Sequence, residues 1–515
     1  MNFEELTQVA LLGTERQPLA APQGSRPLDQ LQAQVDVNHR EEALLTSAAL
    51  SGLHERIGCL PSLDTGPLSD QCPPEELAHM NARAGSLLLR LLSGEYTVLL
   101  PEVLELAAKA KQIALPEALP SLLSLGSGKP ELREAILPIL GARGRWLAAQ
   151  NPEWAYVGGA TSEDEAIWQV GEPPARLIFL RRLRRISPAR AREVLSSTWK
   201  EETPEDRSRF IAAIEIGVCV EDEPFLEAAL DDKRKEVRRT ASALLGRLAN
   251  SGLVKRMTDR ARPLLKYIPG ETGSLLRLKK GRPAVIEVTL PAGCDKAMQR
   301  DGVEPKPPQG LGEKAWWLIQ ILEFVPLELW TNDWRISPAD LLAASLQSEW
   351  KKELFEAWTR AAIRQRSADW ADVLFGAALD GKKFDKFEGL LSAMFRTQRE
   401  LRLSELLAAN DAKTRDFHGT LIAHCPGEWS VQFSRTVLAW LRRLSAEPSN
   451  DWQLRNQIKD FVPRLAPSIL PEVPAGWPIE AQGWEFWSKG AEEFFAVAQF
   501  RADLRAAFVN EHSNT

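Results

Sequence analysis

The segment "HGTLIAHC" (418–425) holds the one close His/His/Cys group in this 515-residue chain, and such donors suit a zinc ion. Its two histidines lie six residues apart, so on a helix they point to different faces and do not converge on one metal. Acid pairs such as Glu75-Glu76 and Glu492-Glu493 have the residue type for general acid–base work, but such pairs also populate solvated helix faces. The stretch "LGSGKP" (125–130) lacks the spacing that wraps a phosphate, no G-x-G-x-x-G follows a strand, and neither G-x-S-x-G nor H-E-x-x-H occurs. These patterns assign no catalytic residue, no metal ligand and no cofactor. The strongest cluster is cationic. Arg181, Arg182, Arg184 and Arg185 stand in "RRLRRISPARAR" (181–192), and Lys233, Arg234, Lys235 and Arg239 stand in "DDKRKEVRRTASALLGRL" (231–248). A planar guanidinium pairs bidentately with carboxylate or phosphate. The two sets therefore read as a docking surface for an acidic partner, or as solvated faces of amphipathic helices.

Both sets ride on helices. In 231–248, Val237, Ala241, Leu244, Leu245 and Leu248 recur at helical spacing on one face. Asp232 stands where an N-cap belongs, and Lys235, Arg239 and Ser242 are expected on the opposite side. In "RLIFLRRLRRI" (176–186), Phe179, Leu180, Leu183 and Ile186 share a face, with the four arginines expected opposite. Ser187-Pro188 and Thr203-Pro204 each give an N-cap followed by a proline at the first helical position. "PELREAILPILG" (130–141) aligns with "KEVRRTASALLG" (235–246), and helix starts recur near 130, 174, 204 and 235. That spacing is the range of helical solenoids, whose hairpins bury their stripes only against neighbouring hairpins. At "LDDKRKEVRRTASALLG" (230–246) the pattern resembles the HEAT repeat. The expected fold is all-α: a HEAT-like, ARM-type α-solenoid with one small β-hairpin insertion and a second, Trp-rich helical lobe.

Hydrophobic residues make up 44% and charged residues 26% of the chain, the composition of a folded soluble protein. Five scattered cysteines with no C-x-x-C fit a reducing cytoplasm and imply no disulfide framework. The acidic N-terminus and the lack of a long uncharged apolar run predict neither signal peptide nor membrane span. The net charge of −6 conceals an excess of 20 Lys+Arg over 14 Asp+Glu in residues 173–262. Four regions are expected: N-terminal helices over 1–96, repeats over 97–266, a β-hairpin and Pro/Gly loop over 267–312, and the Trp-rich lobe over 313–515. The hairpin is read from "LLRLKKGRPAVIEVTLP" (275–291), turning at Lys-Lys-Gly-Arg, and 13 of the 17 tryptophans lie at or beyond Trp316. "DGVEPKPPQG" (301–310) reads as a linker or as an exposed docking loop.

"GARGRWLAAQNPEWAY" (141–156), "EPFLEAALDDKRKEVRRTASALLGRL" (223–248) and "CDKAMQRDGVEPKPPQGLGEKAWWL" (294–318) resemble an uncharacterised bacterial family whose genes lie beside those for MoxR-type AAA+ ATPases, von Willebrand A-domain proteins and SWIM zinc-finger proteins. The resemblance implies a place in a multi-protein AAA+ system, with an AAA+ ATPase or a von Willebrand A-domain protein as partner. Two function classes follow: a non-catalytic scaffold that binds protein partners, or a nucleic-acid-binding repeat protein similar to helical-repeat DNA glycosylases. Overall acidity favours the scaffold.

Overall fold

Ser187 and Thr203 each cap a helix whose first residue is proline. The Ser187 hydroxyl accepts from the Arg190 amide and begins the helix Pro188–Thr198, and Thr203 does the same for Asp206 at the start of Pro204–Ala212. Such devices recur through the computed structural model, which describes residues 3–20, 27–58, 71–158, 166–271, 282–409, 417–448 and 452–509. The chain is about 70% helical, and its described strands form one two-stranded antiparallel sheet. No helix among the described residues is long and apolar enough to cross a membrane.

Residues divide into two compact units, Met1–Gln71 and Cys72–Thr515. In the first, Phe3–Leu12 and Pro27–Gln32 pack on Arg40–Gly58, with Leu6, Val9 and Ala43 inside. In the second, one continuous apolar cluster runs from Met80 to Ala507. Consecutive helical segments are mostly neighbours in space, and the last helix, Trp484–Val509, packs on the first two, Ala82–Leu92 and Leu100–Lys109. The junction is polar as well as apolar. Asn81 donates to the Ala507 carbonyl at 2.7 Å, Arg83 meets Asp503 at 2.7 Å, and Glu102 accepts from Arg501 at 2.6 Å and from Arg505.

The stripe of Lys235–Leu245 is buried as expected at Val237, Ala241, Leu244 and Leu245. Three local expectations are corrected. Ser242 is buried and donates to the Arg239 carbonyl, because Gly302 comes so close that a Cβ there would lie 2.5 Å from its hydroxyl. Asp232 is not the N-cap; that position is Arg234, and Asp232 instead accepts from the Arg234 amide and forms an ion pair with Arg207 at 2.8 Å. Ile186 is 69% exposed, since the buried face of Pro173–Ile186 runs through Ile178, Phe179, Leu180 and Arg184.

The sheet pairs Leu265–Ile268 with Val285–Val288, Leu265 opposite Val288. The second strand is the one the alternation predicts. The first lies upstream of the predicted position, where Leu265 joins Ile286 in the core; residues 272–281, with most of the predicted turn, lie outside the described set. Most tryptophans of the C-terminal half are packing residues, with Trp358, Trp429 and Trp487 fully buried, whereas Trp452 is 70% exposed. Leu244→Ala should leave a cavity and cost about 2–5 kcal/mol, whereas exposed Arg239→Ala should stay within about 0.5 kcal/mol. Urea midpoints that coincide for the two variants contradict this assignment of the stripe.

Candidate functional site

The eight basic residues singled out by the sequence are not all on the surface. Arg184 lies in the core, 1% exposed against a fully buried Asp222. Its guanidinium donates to both Asp222 oxygens and to the carbonyls of Pro188, Ile214, Ile216 and Gly217. An arginine so committed has no donor left for a partner, which corrects its expected place on the outer face. Arg181 and Arg185 both engage Glu134, Arg182 is half-buried, and Arg234 meets Glu205 at 3.2 Å. Lys233 and Lys235 are exposed, Lys235 at 4.0 Å from Glu236.

Arg239 has a different setting. It lines a groove of about 1050 Å³ between the ends of Pro204–Ala212 and Lys235–Leu245 on one side and Glu313–Leu322 and Lys351–Gln365 on the other. One wall carries Arg239, Thr240, Ala243 and Arg247; the other carries Trp316, Gln320, Glu323, Arg360, Arg364 and Arg366. Gly246 sets the closeness of the walls. A Cβ there would sit 2.6 Å from the Phe324 ring and 2.8 Å from the Arg364 guanidinium, so a larger residue must displace one of those side chains.

The rim is the loop read from sequence as a linker or docking element, and here it is tightly held. Buried Asp301 accepts from Arg256 at 2.7 Å and Arg260 at 2.6 Å. The Glu304 amide donates to Gln320 at 2.8 Å, the Gln320 side chain donates back to the Glu304 carbonyl, and the Trp317 indole donates to Pro305. Gly302, Glu304 and Pro308 thereby face the groove.

Most of the charge in the groove is already matched. Glu323 accepts from Arg360 at 3.2 Å and Arg364 at 2.7 Å, and Arg360 also meets Glu356 at 2.7 Å. Their guanidinium groups lie over Trp316 and Phe324, 5.3 and 4.0 Å from the ring centres, an arrangement favoured by the ring quadrupole. Burial pulls the Arg364 pKa below the ordinary value, opposed by Glu323. Arg247 meets Glu215 at 2.8 Å. Arg239 and Arg366, both exposed, have no carboxylate partner among the described residues.

The arrangement suits holding a ligand by complementary contacts. Among the described residues no group of three His, Cys, Asp or Glu side chains could hold a metal ion. His418 is buried beside Trp440, and His424 lies 2.7 Å from the Thr420 carbonyl. Residues 5–508 match DUF5691, a family of unknown function. The chain belongs to that family. Comparison with curated proteins and with solved structures gave no match.

In this DUF5691 chain one of the eight predicted basic residues, Arg239, lines the groove, as does the predicted loop at Gly302, Glu304 and Pro308, whereas Arg360, Arg364 and Arg366 were missed. Those sit on a helix whose visible signal is its stripe of Trp350, Leu354 and Trp358, so the arginines read as its solvated side. The Arg184–Asp222 pair gives a stability test. Burial pushes the Asp222 carboxyl up, but hydrogen bonds from Arg184, Arg192 and the Cys219 amide more than offset it and hold the group below its ordinary value. A depressed carboxylate contributes stability above its unfolded pKa, and that stability is lost as pH falls through the folded value. Asp222→Asn should cost about 3–5 kcal/mol at neutral pH by leaving Arg184 uncompensated, and should flatten the loss of stability below about pH 4. Chemical denaturation from pH 3 to 7 checks both; equal acid limbs would show that Asp222 is not a source of that loss.

Proposed function

We propose that this protein is a non-catalytic, HEAT-like helical-repeat scaffold whose groove holds a segment of a protein partner. The observation that carries the reading is the groove itself. Its walls come from helices distant in sequence, its rim loop is pinned at Asp301, Glu304 and Pro305, and its lining mixes donors, acceptors and aromatic faces. A preformed cleft of that composition loses little conformational freedom on binding, which favours recognition over induced ordering. Repeat architectures present such surfaces with side chains that vary without disturbing hairpin cores. Free thiols at Cys72, Cys219, Cys294 and Cys425 support a reducing cytoplasm as its place of work. The partner implied by the sequence resemblance is an AAA+ ATPase or a von Willebrand A-domain protein of a bacterial multi-protein system. Mixed charge in the groove favours this reading over nucleic-acid binding, because a phosphate backbone would meet Glu215, Glu236 and Glu304 there.

Two variants separate the groove from the outer basic face. Ala243→Trp places an indole in the groove from an exposed position on its wall. The pair Arg182→Glu and Arg185→Glu reverses charge outside it. Tagged chain recovered from native host cells should lose its partner roughly tenfold with Ala243→Trp at unchanged Tm, and by less than about twofold with the double reversal, as expected of peripheral charges. Partner recovery that survives Ala243→Trp overturns the groove reading. Tight duplex DNA binding with a steep salt dependence replaces it with the nucleic-acid reading.

A further inference from the structure

We infer that the groove selects acidic side chains on the segment it holds, with Arg239 on one wall and Arg366 on the other as the selecting cations; this rests on the groove being the partner's binding place. Five arginines line the groove. Three are spent on the fold: Arg247 on Glu215, and Arg360 and Arg364 on Glu323. Those three fix the walls and carry little net field. Arg239 and Arg366 alone are exposed cations without a carboxylate partner among the described residues. A ligand entering between them strips water from both, which is unfavourable unless the ligand brings anions. Carboxylates do so, and the guanidinium fork matches them.

The remaining lining says which kind of anion carrier fits. Glu236 and Glu304 share the groove with the two free arginines. A phosphodiester strand offers acceptors along its whole backbone and is repelled by those carboxylates. A peptide offers an N–H donor at nearly every residue, so it satisfies Glu236 and Glu304 while its own acidic side chains reach the arginines. The lining also holds Leu244, Phe324 and Ile363, which suit an apolar side chain. The fitting occupant is therefore an extended protein segment with acidic residues on both sides of an apolar one.

Arg366 also supplies a clean test. It caps the helix Lys351–Gln365 in the left-handed region, at φ 49° and ψ 44°, where glycine sits without steric cost. Arg366→Gly removes the cation and relaxes the backbone together, so a loss of binding is not a loss of fold. The probe is a fluorescein-labelled decapeptide with two Glu on either side of a Leu-Leu pair in a Gly/Ser background. Its controls are the same peptide with Gln, the same peptide with Lys, and a DNA duplex of about 12 base pairs, long enough to stay paired and carrying two charges per base pair. With the full chain, anisotropy should rank Glu over Gln over Lys. Arg239→Gln and Arg366→Gly should each weaken the Glu peptide roughly three- to tenfold, and Tm should hold or rise for Arg366→Gly. Equal binding of Glu and Gln peptides, lost for both with Ala243→Trp, overturns acid selection and leaves the groove reading intact. Tighter binding of duplex than of Glu peptide overturns the choice of occupant. No binding of the Glu peptide up to about 1 mM, where affinity is negligible for recognition, overturns the inference outright.

Discussion

Arg501 is buried at 1% exposure and answered by Glu102 from the opposite end of the Cys72–Thr515 unit. A guanidinium taken out of water is costly unless every donor finds an acceptor. Here Glu102 takes one, and the carbonyls of Val462 and Leu465 take others at 2.7 and 2.6 Å. The last helix therefore has one well-determined seat, and that seat lies on the first two helices. That contact joins the two ends of the unit and buries Leu88 and Leu91 together with Leu504 and Ala507 in one apolar cluster.

The same use of arginine recurs inside the unit. Arg184 with Asp222, Arg256 and Arg260 with Asp301, and Arg176 with Glu202 each tie segments about 26 to 45 residues apart. Arg184 with Asp222 and Arg176 with Glu202 lie wholly within residues 173–262 and leave its cationic excess unchanged, whereas Asp301 lies outside that segment and answers two of its arginines. Breaking one partner of such a pair strands the other, so the pairs act more as register pins than as sources of net stability.

What the sequence revealed and what it concealed divide along the range of the interactions. Ser187, Thr203 and the stripe through Val237, Ala241 and Leu245 act within one or two helical turns, so their roles could be read from spacing. Arg184 could not be read this way. Its acceptors lie at Asp222 and at carbonyls near 188 and 214–217, and in sequence it is one of four arginines beside an apolar stripe. The first strand was misplaced for a related reason. Leu265–Ile268 follows directly on the helical turn Arg262–Leu264 and so reads locally as the end of that helix, and only pairing with Val285–Val288 makes it a strand. The groove was the least legible feature, since its walls join residues 212–247 to 302–366 and no local pattern marks the meeting.

That meeting gives Glu323 a role beyond holding a helix. The turn from Arg360 to Arg366 brings three cations to one wall, which on their own would make a strong, unselective anion site. Glu323 absorbs Arg360 and Arg364, with Glu356 sharing Arg360, and leaves Arg366 as the free one. Arg247 is silenced in the same way by Glu215 on the facing wall, leaving Arg239. Discrimination here comes from subtraction. A groove that kept all five charges would attract any polyanion, nucleic acid included, whereas two separated cations among carboxylates reward only a ligand whose own charges are placed to match.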